Sequence, residues 1–373
     1  MFTLTHTTPK RKGILKTAHG ELQTPFFMPD ATRATVRGLT SARLESMVLE
    51  ALVVNTYHLM LQPGEQRIKD AGGIHQFMHW SRPVLSDSGG YQVFSLIHKN
   101  PELGRITEEG AEFRSILDGS KYLLTPERSI KIQFDLGVDM IVCLDDPRPN
   151  DVEEGEMRES VERTLRWAKR CRDEYDRLVQ ERGFTEANRP LIFGVVQGGI
   201  MPELRKYCAE ELAKLDFDGY GFGGRHIDAQ GNFLEEIIRV TAAAIPEDAL
   251  RFALGIGTPE DIVRSYELGW DMFDCVIPTR EGRHGRLFLW NPAGSLEQRD
   301  FFTTINIRNE QYKQDDTTVD QTCDCTLCTS YTPSYLHHLF RVGEPLALVL
   351  ASEHNLRFYL RLMTALRTWS HKK

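Results

Sequence analysis

Leu191-Ile-Phe-Gly-Val-Val-Gln-Gly-Gly199 is a run of strand composition that stops at an amide side chain and two glycines. A run apolar at successive positions suits a strand buried on both faces, as in a parallel sheet flanked by helices. The pattern recurs in both directions. Upstream, Met140 to Leu144 ends at Asp145, Val84-Leu85 leads to Asp87, and Ala51 to Val54 ends at Asn55. Downstream, Gly219 to Phe222 runs into Gly223-Gly224, and Arg251 to Ile256 and Met272 to Ile277 follow. Helical segments lie between these runs. Glu153 to Arg182 spaces Leu165, Ala168 and Tyr175 along its length, Pro202 to Lys214 places its proline where a first turn tolerates one, and Pro259 to Leu268 has Thr258 as N-cap. Strands alternating with helices spell βαβ units. Seven or eight units over about 280 residues predict an α/β fold closed as a (β/α)8 TIM barrel rather than an open doubly wound sheet. In either architecture the polar residues at the strand ends mark the active face.

The 373 residues carry 45 Lys plus Arg against 53 Asp plus Glu, a formal charge of −8. That balance does not exclude a nucleic-acid partner, since phosphates respond to local patches more than to the total. Hydrophobic content of 41% and charged content of 26% exclude a disordered, fibrous or coiled-coil chain. No apolar run reaches the roughly 18 residues of a membrane span. Met1 to Gly20 is polar, with Lys10, Arg11, Lys12 and Lys16, and lacks the apolar core of a secretory signal. A cytoplasmic location with no membrane partner is therefore expected. Absence of a Gly-x-Gly-x-x-Gly fingerprint with its acidic partner, and of a Walker A sequence, demotes nucleotide-cofactor enzymes.

After Pro278 the texture changes. Gly282, Gly285, Pro292 and Gly294 lie in a polar stretch that leads through Asp315, Asp316 and Asp320 to Cys323-x-Cys325-x-x-Cys328. Three thiolates at this spacing suit one metal ion, and a fourth ligand would close a tetrahedral structural zinc site with no open position for water. His337 and His338, in a short helix from Pro333 to Arg341, and His354 are the candidates for that ligand. Cys143, Cys171, Cys208 and Cys275 are scattered in apolar or helical contexts, so disulfides are not expected. The tail from His354 to Lys373 reads as amphipathic and basic, with Arg357, Arg361, Arg367, Lys372 and Lys373. The expected organisation is residues 1–290 as the main part of the barrel, 291–355 as a zinc-binding subdomain, and 356–373 as a C-terminal basic helix completing the fold.

Two segments carry candidate chemistry. Leu85-Ser-Asp-Ser-Gly-Gly-Tyr-Gln-Val-Phe94 sets Asp87 at a strand end before glycines that let backbone approach a ligand, and Tyr91 beyond them can lie flat on a planar base. Gly269-Trp-Asp-Met-Phe-Asp-Cys-Val-Ile-Pro-Thr-Arg-Glu-Gly-Arg-His-Gly285 embeds Asp274 among apolar neighbours, costly for a carboxylate unless it is paired or used. The basic run Arg280, Arg283, His284 and Arg286 follows directly, suited to phosphates. Cys275 reads as core packing, Asp146 as a solvent-facing or turn-capping residue, and the acidic run Asp151 to Glu162 as a solvated helix start.

In order along the chain, Asn55-Thr-Tyr-His-Leu, Ser-Asp87-Ser-Gly-Gly-Tyr-Gln, Val-Val-Gln197-Gly-Gly, Gly223-Gly224, Leu254-Gly-Ile-Gly257, Phe-Asp274-Cys-Val-Ile-Pro-Thr-Arg280, the cysteine cluster, Tyr-Leu-His-His-Leu-Phe340 and His354-Asn-Leu resemble the tRNA-guanine transglycosylases, most closely the bacterial branch. The resemblance covers nearly the whole chain. It implies a TIM barrel with a zinc subdomain inserted near the C-terminus, one structural Zn2+ per subunit, and His354 as the fourth ligand. It also implies exchange of guanine at anticodon position 34 of GUN tRNAs for a 7-deazaguanine base, with Asp274 as nucleophile at C1′ and Asp87 as general acid/base. Ser88, Tyr91, Asp145, Gln197, Gly224 and Leu254 match base-binding positions, with Tyr91 stacking. Arg280, Arg283 and Arg286 are expected on the RNA, and a homodimer is implied.

The chemistry suits these residue types. A carboxylate can trap an oxocarbenium-like C1′ as an ester, and a second displacement restores the configuration. Asp145 can accept from a purine N1-H and N2-H2, Gln197 can donate to O6, and the target nucleotide must leave its stack. Two stretches depart from the family pattern. Pro147 stands where bacterial members usually have Cys, and Gly223-Gly-Arg-His-Ile-Asp-Ala229 replaces the usual Gly-Gly-Leu-Ser/Ala-Val-Gly-Glu. Asp228 is the candidate substitute for the missing Glu. The incoming base is expected to be 7-aminomethyl-7-deazaguanine or queuine, with Arg225 and His226 adding positive charge against the former. The other readings are a non-catalytic partner subunit, which should lack Asp274 or Asp87, a variant acting on another nucleic acid, and a zinc-dependent hydrolase, which needs an open metal site.

Overall fold

A computed structural model describes residues 1–7 and 10–369. Eight parallel strands form the centre: β1 Phe26–Pro29, β2 Leu52–Asn55, β3 Val84–Asp87, β4 Met140–Val142, β5 Leu191–Val196, β6 Gly219–Phe222, β7 Leu250–Ala253 and β8 Met272–Cys275. Their hydrogen-bonded order is β1-β8-β7-β6-β5-β4-β3-β2. The ring closes through one parallel bridge between Asp30 and Val53, where Ala31 N–H donates to Val53 O at 2.7 Å. The expected α/β barrel is what forms.

Both faces of β5 are used. Leu191, Phe193 and Val195 join the cluster inside the ring, while Ile192 and Val196 join the layer between ring and helices. That is why the run shows no polar alternation. The outer layer includes Glu154–Glu181, Pro202–Ala213 and Pro259–Glu267. An antiparallel sheet of Phe2–His6, Lys12–Thr17 and Gly20–Gln23 adds Leu15 and Leu22 to the inner cluster, sealing the end of the barrel away from the strand C-termini. At that end the buried Arg11 guanidinium makes a two-pronged pair with Asp271, at 3.0 and 3.1 Å.

The strand missing from the sequence reading is β1. Its core, Phe26-Phe27-Met28, lies between Pro25 and Pro29, residues that ordinarily argue against a strand interior. Strands β7 and β8 end earlier than their apolar runs. Gly255 turns the chain with φ +69°, and Ile277 already starts the helix Ile277–Arg283.

Beyond the barrel, Arg286–Trp290 pairs with Phe302–Asn306, followed by the helices Thr326–Ser330, Pro333–Val342 and Pro345–Thr368. The last helix starts well ahead of His354. Ala347, Leu350 and Ala351 pack with the cysteine cluster, and Leu356, Phe358, Tyr359 and Met363 with the barrel. Its basic residues are largely neutralised in place, a correction to the basic tail. Arg357 pairs with Asp324, Arg361 with Asp320, and Arg367 with Glu50. Lys372 and Lys373 lie outside the described residues. Among the described residues no helix is long and apolar enough to cross a membrane.

Candidate active site

At the C-terminal mouth of the barrel is a cavity of about 650 Å³ whose wall includes Asp30, Asn55, Asp87, Ser88, Tyr91, Asp145, Pro147, Gly224, Arg225, His226, Leu254, Asp274 and Arg280. Parallel register places Asn55 beside Asp87, so the Asn55 Nδ2 donates to Asp87 Oδ2. Asp87 also accepts from the N–H groups of Thr56 at 3.1 Å and Gly89 at 3.0 Å and from Gln92 Nε2 at 3.3 Å. Gly89 is obligatory at this turn. Its φ is +79°, and a Cβ there would sit 2.9 Å from the backbone nitrogen of Tyr57. Burial dominates and pushes the Asp87 carboxyl up to about 7, against its hydrogen bonds and with help from Asp274 and Asp30.

Asp274, the penultimate residue of β8, accepts from Gly255 N–H at 2.8 Å. Burial pushes this carboxyl to about 7 as well, with Asp30 adding repulsion. Asp145 follows β4 and accepts from Gln197 Nε2 at 2.6 Å. Burial is again the largest cause of its rise to about 7, and Asp146 contributes. Gly223 makes room for this pair, since a Cβ would lie 2.3 Å from the Gln197 amide nitrogen. Gln197 itself stands behind Asp145. Carboxyls poised near neutrality around one cavity can act as nucleophile, acid or base at ordinary pH.

Asp30, one step past β1, is a further carboxylate in the wall. It accepts from the Thr32 hydroxyl and is raised by burial. The readable signal was the apolar Phe26-Phe27-Met28 run ending on an acid, masked by the flanking prolines. Asn55, Gln92 and Gly255, which hold the two central acids, carry no sequence signal of that contact.

Other expectations sort as follows. Tyr91 is 58% exposed at the mouth. Ser88 is buried, with its hydroxyl accepting from Gly90 N–H at 3.2 Å. Arg280 reaches the cavity wall, Arg283 is half-buried near Asp30, Arg37 and Arg280, and Arg286 is exposed. Asp146 contradicts its reading as solvent-facing or turn-capping: it is buried and paired with Arg163 at 2.6 Å, because the Glu154–Glu181 helix brings a guanidinium over it. Asp228 does not reach the cavity wall. Its carboxylate is spent inside its own turn, accepting from Gln230 N–H, Asn232 N–H and Asn232 Nδ2. Cys275 is buried, with its thiol against Gly257 O.

Cys323, Cys325, Cys328 and His354 converge, all buried. His354 Nδ1 lies 3.5 Å from Cys325 Sγ and 3.3 Å from Cys328 Sγ, while its Nε2 donates to Phe288 O at 2.8 Å. That second bond fixes the tautomer that leaves Nδ1 free as a ligand. His337 is used elsewhere, with Nδ1 against Ile307 O at 2.9 Å, and His338 is exposed. Asn355, next to His354, donates to Pro278 O and Arg286 O, both at 2.9 Å, and accepts from Phe288 N–H at 3.0 Å. The cluster is thereby tied to the segment that carries the basic run. A Cβ on Gly282 would meet the Ala351 backbone at 2.8 Å, so glycine permits that close contact.

Comparison with known proteins decides what this arrangement belongs to. The family model described as queuine tRNA-ribosyltransferase matches residues 6–369. The chain belongs to the queuine tRNA-ribosyltransferase family. Relatives of that name include the Halothermothrix orenii protein, 41% identical over 98% of this chain and 92% of its own length. Those of Zymomonas mobilis (40%, over 96% and 87%) and Aliivibrio fischeri (42%, over 96% and 89%) are similar to much the same extent. The queuine tRNA-ribosyltransferase match takes in both the barrel mouth and the Cys/His cluster, and as a member of this family the chain is a transferase.

Proposed function

We propose that the chain exchanges guanine at anticodon position 34 of GUN tRNAs for a 7-deazaguanine base by double displacement. The observation that carries this is the pair Asp274 and Asp87, two carboxyls held near neutrality in the wall of one cavity by different strands. Asp274 attacks C1′ of the flipped-out ribose and the bond to N9 of guanine breaks. The electron pair leaves with the base, and Asp87 supplies the proton that neutralises it. The ester formed with Asp274 holds the RNA while guanine departs. Asp87, now a carboxylate, takes the proton from N9 of the incoming base, which attacks C1′ and releases Asp274.

The base lies against Ser88 and Leu254 and stacks on Tyr91. Asp145, held from behind by the Gln197 amide, accepts from N1-H and N2-H2, and the Gly224 N–H serves O6. Gly224 N–H has no partner among the described residues, which supports that role. Arg280, Arg283 and Arg286 hold phosphates beside the reacting sugar. Retention of both acids favours an enzyme over a non-catalytic partner subunit.

The buried, thiolate-rich Cys323, Cys325, Cys328 and His354 set fits one Zn2+ per subunit in a closed structural site. When bound, the ion cross-links the C-terminal unit, and Asn355 passes that order to the Pro278–Arg286 segment. Residues 291–355 form the zinc-binding subdomain between the barrel, 1–290, and the completing segment 356–373, with the Pro345–Thr368 helix shared. Exposed Tyr335, Val342 and Leu346 on the C-terminal helices support a homodimer, and a tRNA substrate supports a cytoplasmic location.

The test is incorporation of radiolabelled guanine into unmodified tRNA by zinc-replete protein. Incorporation confined to position 34 is expected. None from folded protein would sink the proposal.

A further inference from the structure

The sealed end of the barrel gathers a second set of metal-binding side chains, separate from the cysteine cluster. His19 lies in the turn between Lys12–Thr17 and Gly20–Gln23, His75 in the helix Ile74–Met78, and Asp139 one residue ahead of β4. One nitrogen or oxygen from each falls within 4.8 Å of the others. Asp139 is fixed through its backbone, since its N–H donates to Val84 O at 2.9 Å and its carbonyl accepts from Leu191 N–H at 2.8 Å. Its carboxylate is fully buried. Oδ1 accepts from the His19 backbone N–H at 3.1 Å and faces His19 Nδ1 at 2.9 Å, and Oδ2 accepts from Val84 N–H at 2.9 Å. Among the described residues no lysine or arginine pairs with it, and the charged groups that can face it are the two imidazoles.

A buried carboxylate without a permanent cation is costly. The neutral His75 ring does not relieve that cost. Its Nδ1 donates to Trp80 O at 3.1 Å, which leaves Nε2 as a bare lone pair. That nitrogen is buried, lies 3.1 Å from Asp139 Oδ2 and has no hydrogen-bond partner among the described residues. Two electron-rich atoms thus face each other, and a cation beside both satisfies them together. The His19 and His75 rings stack at 3.6 Å with 17° between their planes, so the exposed His19 ring must tilt out of the stack to bring its nitrogen onto the same ion. Two imidazoles and a carboxylate suit a zinc-like divalent ion, and three protein ligands leave a position for water. We propose that His19, His75 and Asp139 bind a second zinc-like divalent cation at the sealed end of the barrel, with solvent completing its shell on the His19 side. The ion clamps the N-terminal hairpin to the start of β4, at the opposite end of the ring from Asp87 and Asp274.

The experiment titrates Zn2+ into untagged, full-length protein that already holds one equivalent, at about pH 8, where an ordinary imidazole is neutral. Calorimetry should show one further equivalent, and the Tm should rise with free zinc. His19→Gln and His75→Gln should each weaken the second equivalent by at least about 10-fold, the least that losing even an outer-shell partner of a ligand costs, and should blunt the zinc-dependent rise in Tm. Both variants should keep the first equivalent, which the cysteine cluster holds. His98→Gln, which alters an exposed histidine on the helix after β3, should bind both equivalents as the wild type does. If His75→Gln fails to fold, His19→Gln decides alone, because it changes an exposed turn. A wild-type chain that takes up only one equivalent overturns the inference and leaves a proton on His75 to balance Asp139. Binding of the second equivalent as tightly in His19→Gln as in wild type, or equal weakening in His98→Gln, overturns it as well.

Discussion

The Gly255 N–H holds Oδ1 of Asp274 at 2.8 Å, and Oδ2 has no hydrogen-bond partner among the described residues. One oxygen is aimed and the other is left to react. Gly255 comes from the turn after β7 and Asp274 from β8, so the aim depends on the register of adjacent parallel strands.

Asp274→Asn keeps an oxygen for the Gly255 contact and removes the nucleophile. Guanine exchange should fall by about 10³-fold or more, and the covalent RNA complex should vanish from denaturing gels. Binding of tRNA should persist. Full exchange by this variant would reassign the nucleophile.

The pH profile follows from the same pair. Asp274 must be ionised to attack and Asp87 protonated to release guanine, and both are pushed up to about 7. The rate should form a narrow bell near pH 7, its limbs belonging to the coupled pair and not to single residues. A plateau extending from pH 5 to 9 would contradict it. The sign for stability is set by burial. The folded state holds protons on these acids above the ordinary value of 3.8, so stability contributed by them is lost as pH rises from about 4 through 7. Asp274→Asn should accordingly raise the Tm at pH 8, by roughly 1–4 °C.

Cys325→Ser should lower zinc content and stability together, by a few kcal/mol on the order expected when metal binding and folding are coupled. Exchange activity should fall in step with the folded fraction measured by circular dichroism. A metal-free, fully folded and fully active variant would show that the cluster is dispensable.

Arg280→Ala and Arg286→Ala should each weaken tRNA binding and reduce the slope of log K against log salt by about 1, without altering which base is incorporated. Unchanged salt slopes would take these two residues off the RNA.

At the sealed end of the barrel, Arg11 also donates to Glu247 O at 2.6 Å and Ala249 O at 2.8 Å. Arg11→Met strands the buried Asp271 and should cost about 3–5 kcal/mol in chemical denaturation, with most of it recovered in Arg11→Met/Asp271→Leu. Equal losses in the single and double variants would refute the pairing argument.

The sequence by itself determined the barrel, the strand-end positions of Asp87, Asp145 and Gln197, and the three thiols. Burial on both faces of a parallel strand writes a continuous apolar run, and ligand spacing is local. It missed β1, because Pro25 and Pro29 look like strand breakers until a closing ring supplies neighbours, and with β1 it missed Asp30. Spacing left His337, His338 and His354 open and only the family resemblance pointed to His354; the tertiary structure brings His354 to the thiols and pairs His337 with Ile307 O, and it alone buried Asp146 beneath Arg163 and turned Asp228 away from the cavity. It also decided which groups hold the acids, since Asn55, Gln197 and Gly255 are each brought from another strand's end. Those outcomes depend on which strands become neighbours and in what register, and contacts between residues distant in the chain leave no periodic trace in it.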